Sequence, residues 1–302
     1  MYKITTQEAD IVTPFPAGRP DVVGFFDPAT HTVTYLVSDP ATGAAAIIDP
    51  VLDYDPVAVR TSTGSIERVL DAVRTCGLKL ERVLETHAHA DHLTGADVIR
   101  TRTGAPIGIG EKITRVQKTF GDLFEAGDVS AGAVVFDETY ADGDTFSLGS
   151  IPVEVLHTPG HTPACVSYRI GDAVFVGDTM FMPDYGTARC DFPGGDARTL
   201  YRSIQKILAL PDATRVFVGH DYLPKDGRSE FRWETSVGEE KANVHLTGRS
   251  EDDYVAMREA RDATLAPPQL ILPALLVNIR AGALPPAEAS GKRFLKLPLN
   301  AI

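Results

Sequence analysis

The chain has 302 residues, of which 43% are apolar and 23% are charged, and its net charge at pH 7 is −12. These proportions are typical of a globular protein with a large core, and the negative charge argues against nucleic acid and anionic membranes as partners. No apolar run is long enough to span a bilayer, and the first ten residues have no apolar segment of the signal-peptide kind. The three cysteines are widely spaced, so we expect no disulfide framework and predict a cytoplasmic protein.

Two strands joined by a turn are predicted near the beginning of the chain, over residues 32–37 and 44–48. An amphipathic helix is predicted over residues 65–75, with Gly77 as its C-terminal cap. The basis is the helical spacing of the apolar residues Ile66, Val69, Leu70 and Val73.

Three of the eight histidines of the chain lie within the six residues His87-Ala-His89-Ala-Asp91-His92. The preceding residues 82–86 are branched and mostly apolar, which predicts a strand. Because side chains alternate along a strand, His87 and His89 would project the same way. A turn after His89 would then bring Asp91 and His92 towards the same point. Imidazole and carboxylate ligands hold zinc or iron at open catalytic sites.

Three later apolar segments, 151–156, 173–176 and 215–218, also read as buried strands. Each leads into a glycine, which permits close backbone approach, and then into a residue of metal-ligand type: His161, Asp178 and His220. Taken singly, such residues are more often turn residues or satisfied polar groups. Their repetition at four strand ends favours convergence on one site.

Other elements are predicted in the middle of the chain. Helices are expected over about 94–101, around 113–123 and over about 200–208, the last with Asp196 as its N-cap. The region 134–176 is expected to be rich in strands, with a tight turn near Gly171.

The chain becomes polar and charged after about residue 225. We therefore predict one domain over residues 1–302, with a C-terminal extension over about 225–302. Within this extension a helix is predicted over 251–261. The apolar segment 269–279 is predicted to return to the core as a strand.

The order of these ligand-type residues resembles the metallo-β-lactamase superfamily. Further segments resemble its persulfide dioxygenase (sulfur dioxygenase) branch: 160–166, 177–179, 189–192, 199–204 and 219–222. Segment 184–196 resembles a bacterial β-lactamase-like hydrolase subgroup linked to sulfide detoxification. The resemblance covers about residues 47–282. The predicted elements are strands followed by helices, and this order occurs twice. Together with the resemblance, it implies a four-layer αββα sandwich with the metal at one edge between the sheets.

Two metal arrangements remain open at this stage. The resemblance to persulfide dioxygenases implies one Fe(II) per chain held by His87, His161 and Asp178, a face of two histidines and one carboxylate. The full superfamily set would support a two-zinc hydrolase, and it adds His89, Asp91, His92 and His220. Every ligand of both arrangements is present in the sequence, so counting ligands does not choose between iron and zinc, and zinc in a purified sample would not decide it.

Four residues are predicted to contact substrate. The resemblance implies that Arg189 and Asp191 bind the glutathione moiety or organise its pocket; a surface ion pair is the alternative. Tyr222 either donates to the ligand or packs in the core. Arg280 lies in segment 277–282, which resembles a family motif that closes the pocket. The alternative interpretation is that Arg280 is an exposed basic residue without a role.

The remaining thiols and histidines are expected to have ordinary roles. Cys190 could carry sulfur as a persulfide, but packing is the favoured interpretation for it and for Cys165. Ordinary polar or capping roles are expected for His31, His157 and His245.

The resulting hypothesis is a cytoplasmic non-haem iron persulfide dioxygenase. It would oxidise glutathione persulfide with O2 to sulfite and glutathione in sulfide detoxification. The alternative enzyme is a zinc-dependent thioester hydrolase of the glyoxalase II kind that acts on S-lactoylglutathione, and a non-catalytic sulfur carrier is a third class. The natural thiol and the choice between a monomer and a homodimer are left open.

Overall fold

The computed structural model describes residues 18–130 and 135–300. Two predictions concern residues outside these ranges. One is the absence of an apolar segment in the first ten residues, and the other is the start of the strand-rich region at residue 134. The first half of the chain builds a six-stranded sheet in the order β1-β2-β3-β6-β8-β9 and a small sheet in the order β5-β4-β7. Its elements are β1 (Asp21–Asp27), β2 (Thr32–Ser38), β3 (Ala44–Ile48), β4 (Val51–Asp55), β5 (Arg60–Ser62), α1 (Gly64–Thr75), β6 (Lys79–Leu84), β7 (Leu93–Thr94), α2 (Ala96–Thr103), β8 (Ile107–Gly110), α3 (Ile113–Leu123), α4 (Gly127–Ser130) and β9 (Glu138–Tyr140).

The second half builds another six-stranded sheet, in the order β10-β11-β12-β13-β14-β15. Its strands are antiparallel except where β13 pairs in parallel with β14. The elements are β10 (Thr145–Leu148), β11 (Ile151–His157), β12 (Val166–Ile170), β13 (Ala173–Phe175), α5 (Ala197–Leu208), β14 (Arg215–Phe217), β15 (Glu234–Ser236), α6 (Val237–Glu240), α7 (Glu251–Asp262) and α8 (Ile271–Asn278).

Three apolar clusters define the layers. One lies between the two large sheets and includes Ile48, Val155 and Phe175. A second joins the first sheet to α1, α2, α3 and α8, and a third joins the second sheet to α5 and α7. Because each sheet buries one face against the other sheet and one against helices, the predicted αββα sandwich is confirmed.

The amphipathic helices follow their sequence patterns closely. The four apolar residues that predicted α1 are its buried residues, and the helix ends at Thr75, followed by Cys76 as its C-cap and by Gly77 with φ of +63°. The side chain of Asp196 accepts a hydrogen bond from the Thr199 backbone N–H at 2.7 Å and caps α5 as predicted. Helix α2 begins two residues later than predicted because Thr94 pairs with Val51 in the small sheet.

The predicted strand over 269–279 is wrong, because residues 271–278 form α8. Six of the eight residues of this helix are buried. A helix that is apolar on all sides shows no periodicity that could distinguish it from a buried strand. Helix α8 packs beside the first sheet and contacts β7, which follows the histidine segment.

The ends of β6, β11, β13 and β14 meet at one edge of the two sheets. Backbone hydrogen bonds join the sheets there, from Val33 N–H to the Gly219 carbonyl and from Val166 N–H to the Thr86 carbonyl, both at 2.9 Å. Gly177 has φ of +50°, and a Cβ on it would lie 2.4 Å from Thr86 Oγ1. Only glycine therefore allows this approach. Within residues 18–130 and 135–300, no helix has the length and apolar character needed to cross a membrane.

Candidate metal centre

Three side chains from three strand ends converge at this edge. His87 follows β6, His161 follows β11 and Asp178 follows β13. The Nε2 atoms of His87 and His161 lie 3.9 Å and 3.7 Å from Asp178 Oδ2. One ligand atom from each residue lies within 4.8 Å of the other two, and all three residues are buried. This spacing is compatible with a single ion held between them.

Hydrogen bonds fix the orientation of the two imidazoles. His161 Nδ1 donates to the Arg189 carbonyl at 2.8 Å, which turns Nε2 towards Asp178. His87 Nδ1 lies 3.0 Å from Thr86 Oγ1, and that hydroxyl donates to Asp49 at 2.8 Å, so the ring nitrogen is the donor. Such outer contacts set the tautomer of a metal-binding histidine.

Unsatisfied atoms support a metal ion at this place. His87 Nε2 and Asp178 Oδ1 are buried and have no hydrogen-bond partner in the described structure. Such orphaned groups are rare and call for an explanation. Burial, reinforced by the neighbouring histidines, lowers the pKa of His87 well below its usual value, so the ring is neutral. Neutral imidazole is the form that binds metals. The donor set therefore fits a metal ion.

His89 is turned towards two buried carboxylates. Its Nε2 lies 3.1 Å from Asp49 Oδ1 and 3.3 Å from Glu85 Oε2. Burial opposes a charge on His89, but the two carboxylates outweigh it and raise the pKa of the ring. Asp49 also accepts the Thr86 backbone N–H at 2.7 Å. The structure therefore places Nε2 of His89 in a carboxylate cluster behind the metal-binding triad.

The remaining superfamily ligands lie on the opposite side of Asp178. His220 Nε2 is 3.4 Å from Asp178 Oδ1 and 3.3 Å from Asp91 Oδ2. Thr32 Oγ1 lies 3.3 Å from Asp91 Oδ2 and 3.4 Å from His220 Nδ1. One ligand atom each of His89, Asp91 and His92 lies within 4.8 Å of the other two. Burial lowers the pKa of His92 to about 4. The structure thus brings all seven ligand-type residues to one edge.

Two adjoining cavities open over the triad. The first, of about 190 Å³, is lined by His161 and Asp178 together with Tyr185, Arg189, Tyr222, Arg258 and Arg261. The second, of about 370 Å³, is mainly apolar and is lined by His161 and Arg189 together with Phe120, Phe192 and Ile271. Since both share His161 and Arg189, they form one mouth with a polar side and an apolar side.

The structure brings three of the four predicted substrate residues to this mouth. Arg189 and Asp191 form a two-pronged ion pair with N–O distances of 2.5 Å, and both line a cavity. The ring of Tyr222 stacks on His220 at 5.2 Å, and the residue is 36% exposed. Arg280 is not brought there. It is buried, donates to Asp128 at 2.7 Å and lines a separate cavity.

The sequence placed Asn278 in a motif that resembles one closing the pocket, but it predicted neither the hydrogen bonds of Asn278 nor the approach of two arginines. Asn278 donates to the carbonyls of His89 and His92, each at 2.8 Å, and so holds the histidine segment from α8. Arg258 and Arg261 reach the mouth from α7. The sequence predicted the helix over 251–261 that carries both arginines. No local pattern, however, indicates which side of the fold that helix covers.

The two buried cysteines pack in the protein interior. Cys165 is buried, as predicted, and burial raises the pKa of its thiol to about 12. Burial also raises the pKa of the Cys190 thiol, and the carboxylate of Asp262 adds to this effect. A reactive thiol needs a lowered pKa, so these environments favour packing over sulfur transfer.

Comparison with known proteins gives relatives over most of the chain. It is 53% identical, over 93% of its length, to a probable metallo-hydrolase of Burkholderia pseudomallei, 99% of which is covered. It is 52% identical to a β-lactamase hydrolase-like protein of Agrobacterium fabrum, over 95% of the chain but only 66% of that longer protein. A Dictyostelium discoideum protein named glyoxylase B2 is 46% identical, over 88% of the chain and 92% of that protein.

Two further similarities concern proteins related to persulfide dioxygenases. The chain is 31% identical to the human mitochondrial persulfide dioxygenase ETHE1, over 86% of the chain and 88% of that protein. The crystal structure of ETHE1 from Myxococcus xanthus superimposes with a TM-score of 0.70 at 33% identity, over 87% of this chain and 100% of that one. Residues 27–220 match the metallo-β-lactamase superfamily as a whole. The chain therefore belongs to the metallo-β-lactamase superfamily.

Proposed function

We propose that the protein is a mononuclear iron persulfide dioxygenase acting on glutathione persulfide. One persulfide, one O2 and one water give one thiol and one sulfite. The observation that carries this proposal is the division of the ligands: His87, His161 and Asp178 form a compact triad, while Nε2 of His89 faces Asp49 and Glu85. Because its Nε2 faces those carboxylates, His89 is not one of the three residues of this triad. The similarity to persulfide dioxygenases supports the same conclusion.

The residues of the chain have separate tasks in this proposal. Fe(II) held by two histidines and one carboxylate activates oxygen and leaves open positions for substrate. His161, fixed by the Arg189 carbonyl, and His87, fixed by Thr86, hold the ion in a preorganised geometry. Arg189 and Asp191 shape the mouth, and Tyr222 covers His220 from the solvent side. Together these residues would hold the substrate sulfur over the triad.

Oxygen uptake and sulfite release test the reaction together. Iron-loaded protein should consume O2 only when glutathione persulfide is added, at about one O2 per sulfite. Glutathione alone should give neither, because it lacks the outer sulfur. Absence of persulfide-dependent O2 uptake by protein that contains stoichiometric iron would refute the proposal.

A zinc thioesterase is the second candidate. It is favoured by the cluster of Asp91, His92 and His220 beside Asp178 and by the relative named glyoxylase B2. Hydrolysis of S-lactoylglutathione by zinc-loaded protein, with iron-loaded protein inactive towards persulfide, would establish this alternative. A cytoplasmic location and a homodimer stay predictions.

Metal content of two histidine variants separates the one-metal and two-metal centres. His161→Ala removes a triad ligand and should lose iron and turnover together. His89→Ala should retain about one iron per chain, because its Nε2 faces the carboxylates of Asp49 and Glu85. It should also be destabilised by about 3 kcal/mol, since buried carboxylates lose their partner. Loss of iron in both variants to the same degree would instead indicate that His89 is a ligand.

A further inference from the structure

Three arginines line the polar side of the mouth: Arg189, Arg258 and Arg261. A chain with a net charge of −12 repels small anions at long range. An anionic substrate must therefore be held by local cations. The three guanidinium groups differ in how far they are free to hold such an anion.

Two of the three are already engaged within the protein. Each of the three nitrogens of Arg189 donates, two of them to Asp191 at 2.5 Å and one to the Ala266 carbonyl at 2.7 Å. Arg258 is 1% exposed, and its Nε donates to Asp262 at 2.9 Å while Nη1 donates to the Thr187 carbonyl at 3.1 Å. A substrate carboxylate would therefore have to share either guanidinium with an internal carboxylate that already neutralises its charge.

Arg261 differs from both. Its side chain is exposed, it lines the cavity that contains His161 and Asp178, and it makes no ion pair or side-chain hydrogen bond within the described structure. Burial raises the pKa of Tyr185, and the positive charge of Arg261 opposes that rise. Tyr185 also lines the cavity, and its hydroxyl is a second donor.

The helix that carries Arg261 is anchored to the mouth. Asp262, the next residue, accepts the Cys190 backbone N–H at 2.7 Å, and the Tyr254 hydroxyl lies 2.8 Å from Thr187 Oγ1. These contacts fix α7 on the loop whose Arg189 carbonyl orients His161. The backbone of Arg261 is therefore held at a set position relative to the triad, which favours specific binding of an anion.

We propose that Arg261 binds a carboxylate of the substrate thiol, with Tyr185 as the neighbouring donor, and that the protein thereby selects small persulfides with a carboxylate remote from the reacting sulfur. This inference rests on the proposed function for the identity of the reacting group. It assigns carboxylate recognition to Arg261 in place of Arg189, whose side chain instead ties the loop to Ala266.

Calorimetric titration of glutathione into iron-loaded protein without oxygen tests the inference independently of turnover. Arg261→Gln should raise the Kd of glutathione about tenfold or more, as expected for the loss of a charged hydrogen bond. Arg261→Lys should recover only part of this loss, because an ammonium group lacks the planar fork. Arg115→Gln is the matched control, since Arg115 is exposed on α3 and lines neither cavity. It should bind glutathione as the wild type does.

Esterified glutathione separates carboxylate recognition from general electrostatics. Glutathione diethyl ester should bind the wild type weakly and should bind Arg261→Gln no more weakly than that. Equal affinity of wild type and Arg261→Gln for glutathione, or no binding by the wild type, would overturn the inference.

The reaction assay distinguishes this failure from failure of the proposed function. With persulfide, Arg261→Gln should raise KM and leave kcat within about twofold of the wild type. Unchanged KM with normal sulfite release would retain the dioxygenase and exclude Arg261. Weakened glutathione binding in a protein without persulfide-dependent O2 uptake would retain the anion site and exclude the proposed reaction.

Discussion

His245 is a buried imidazole whose neutral form is required by its contacts. Its Nδ1 accepts a hydrogen bond from the Thr187 backbone N–H at 2.9 Å, so this nitrogen carries no proton. Burial lowers the pKa of His245 to about 4, and the charges of Arg258 and Arg261 add to this effect. The polar role expected from the sequence is confirmed, and the bond helps to fix the loop that leads to Arg189.

The lowered pKa of His245 predicts that the folded protein loses stability in mild acid. The unfolded pKa of this imidazole, about 6.5, lies above the folded value, so the unfolded chain binds more protons as pH falls through 6.5. Stability from this group is therefore complete above about pH 6.5 and falls until about pH 4. Between pH 7.5 and pH 5 the loss should be about 2 kcal/mol. Urea unfolding of the wild type and of His245→Gln measures it, and an equal loss in both would contradict the assignment.

Single residues also show the limits of prediction from sequence. The ligand residues could be predicted because each follows a strand end and a ligand pattern is local. The orientation of His89 could not, because it depends on Asp49 and Glu85, which reach it from the ends of two strands. The pairing of Arg189 with Ala266 joins residues 77 positions apart. No local pattern carries such contacts.

Helix α8 supports the metal centre although it contributes no ligand. The Asn278 side chain donates to the carbonyls of His89 and His92 at 2.8 Å and accepts the Thr94 backbone N–H at 2.9 Å. All three bonds are buried, so their loss leaves backbone groups without partners. The segment 277–282 resembles a family motif, and the structure gives one residue of it a task in holding the ligand loop.

Asn278→Ala should therefore lower both stability and metal retention. Loss of three buried hydrogen bonds should cost about 3 kcal/mol or more, and the freed histidine segment should hold iron less well after dialysis against a weak chelator. Asn243→Ala is the control, because Asn243 is also buried and donates to Gly186 and Glu240, away from the ligands. It should unfold more easily yet keep its iron. Equal iron content in Asn278→Ala and wild type would show that α8 does not hold the site.

Elements differ in how well their sequences predict them. Helices α1 and α5 have one apolar face, and therefore their periodicity located them within three residues. Helix α8 is buried on nearly all sides, so only its tertiary surroundings distinguish it from a strand. The placement of α7 at the mouth was missed for another reason, because a local pattern does not show which side of the fold a helix covers.

At the scale of the whole molecule, the metal-binding triad joins the two halves of the sandwich. His87 comes from the first sheet, and His161 and Asp178 come from the second. The bond from Val166 N–H to the Thr86 carbonyl already links the sheets beside the triad. The halves are thus preorganised without a metal ion, and an ion held by all three residues adds a further link that the unfolded chain does not have.

Metal binding should therefore raise the thermal stability of the whole domain. A ligand that binds only the folded state stabilises it by about 2.7 kcal/mol at a free concentration one hundred times its Kd, which corresponds to a rise in Tm of about 5 °C for a domain of this size. Scanning calorimetry with ferrous iron under nitrogen, before and after a chelator, should show this rise as one transition. His87→Ala and His161→Ala, which remove the link from opposite halves, should each abolish it. An unchanged Tm in wild-type protein that contains iron, or a rise that survives either variant, would mean that the ion is held elsewhere than between the two sheets.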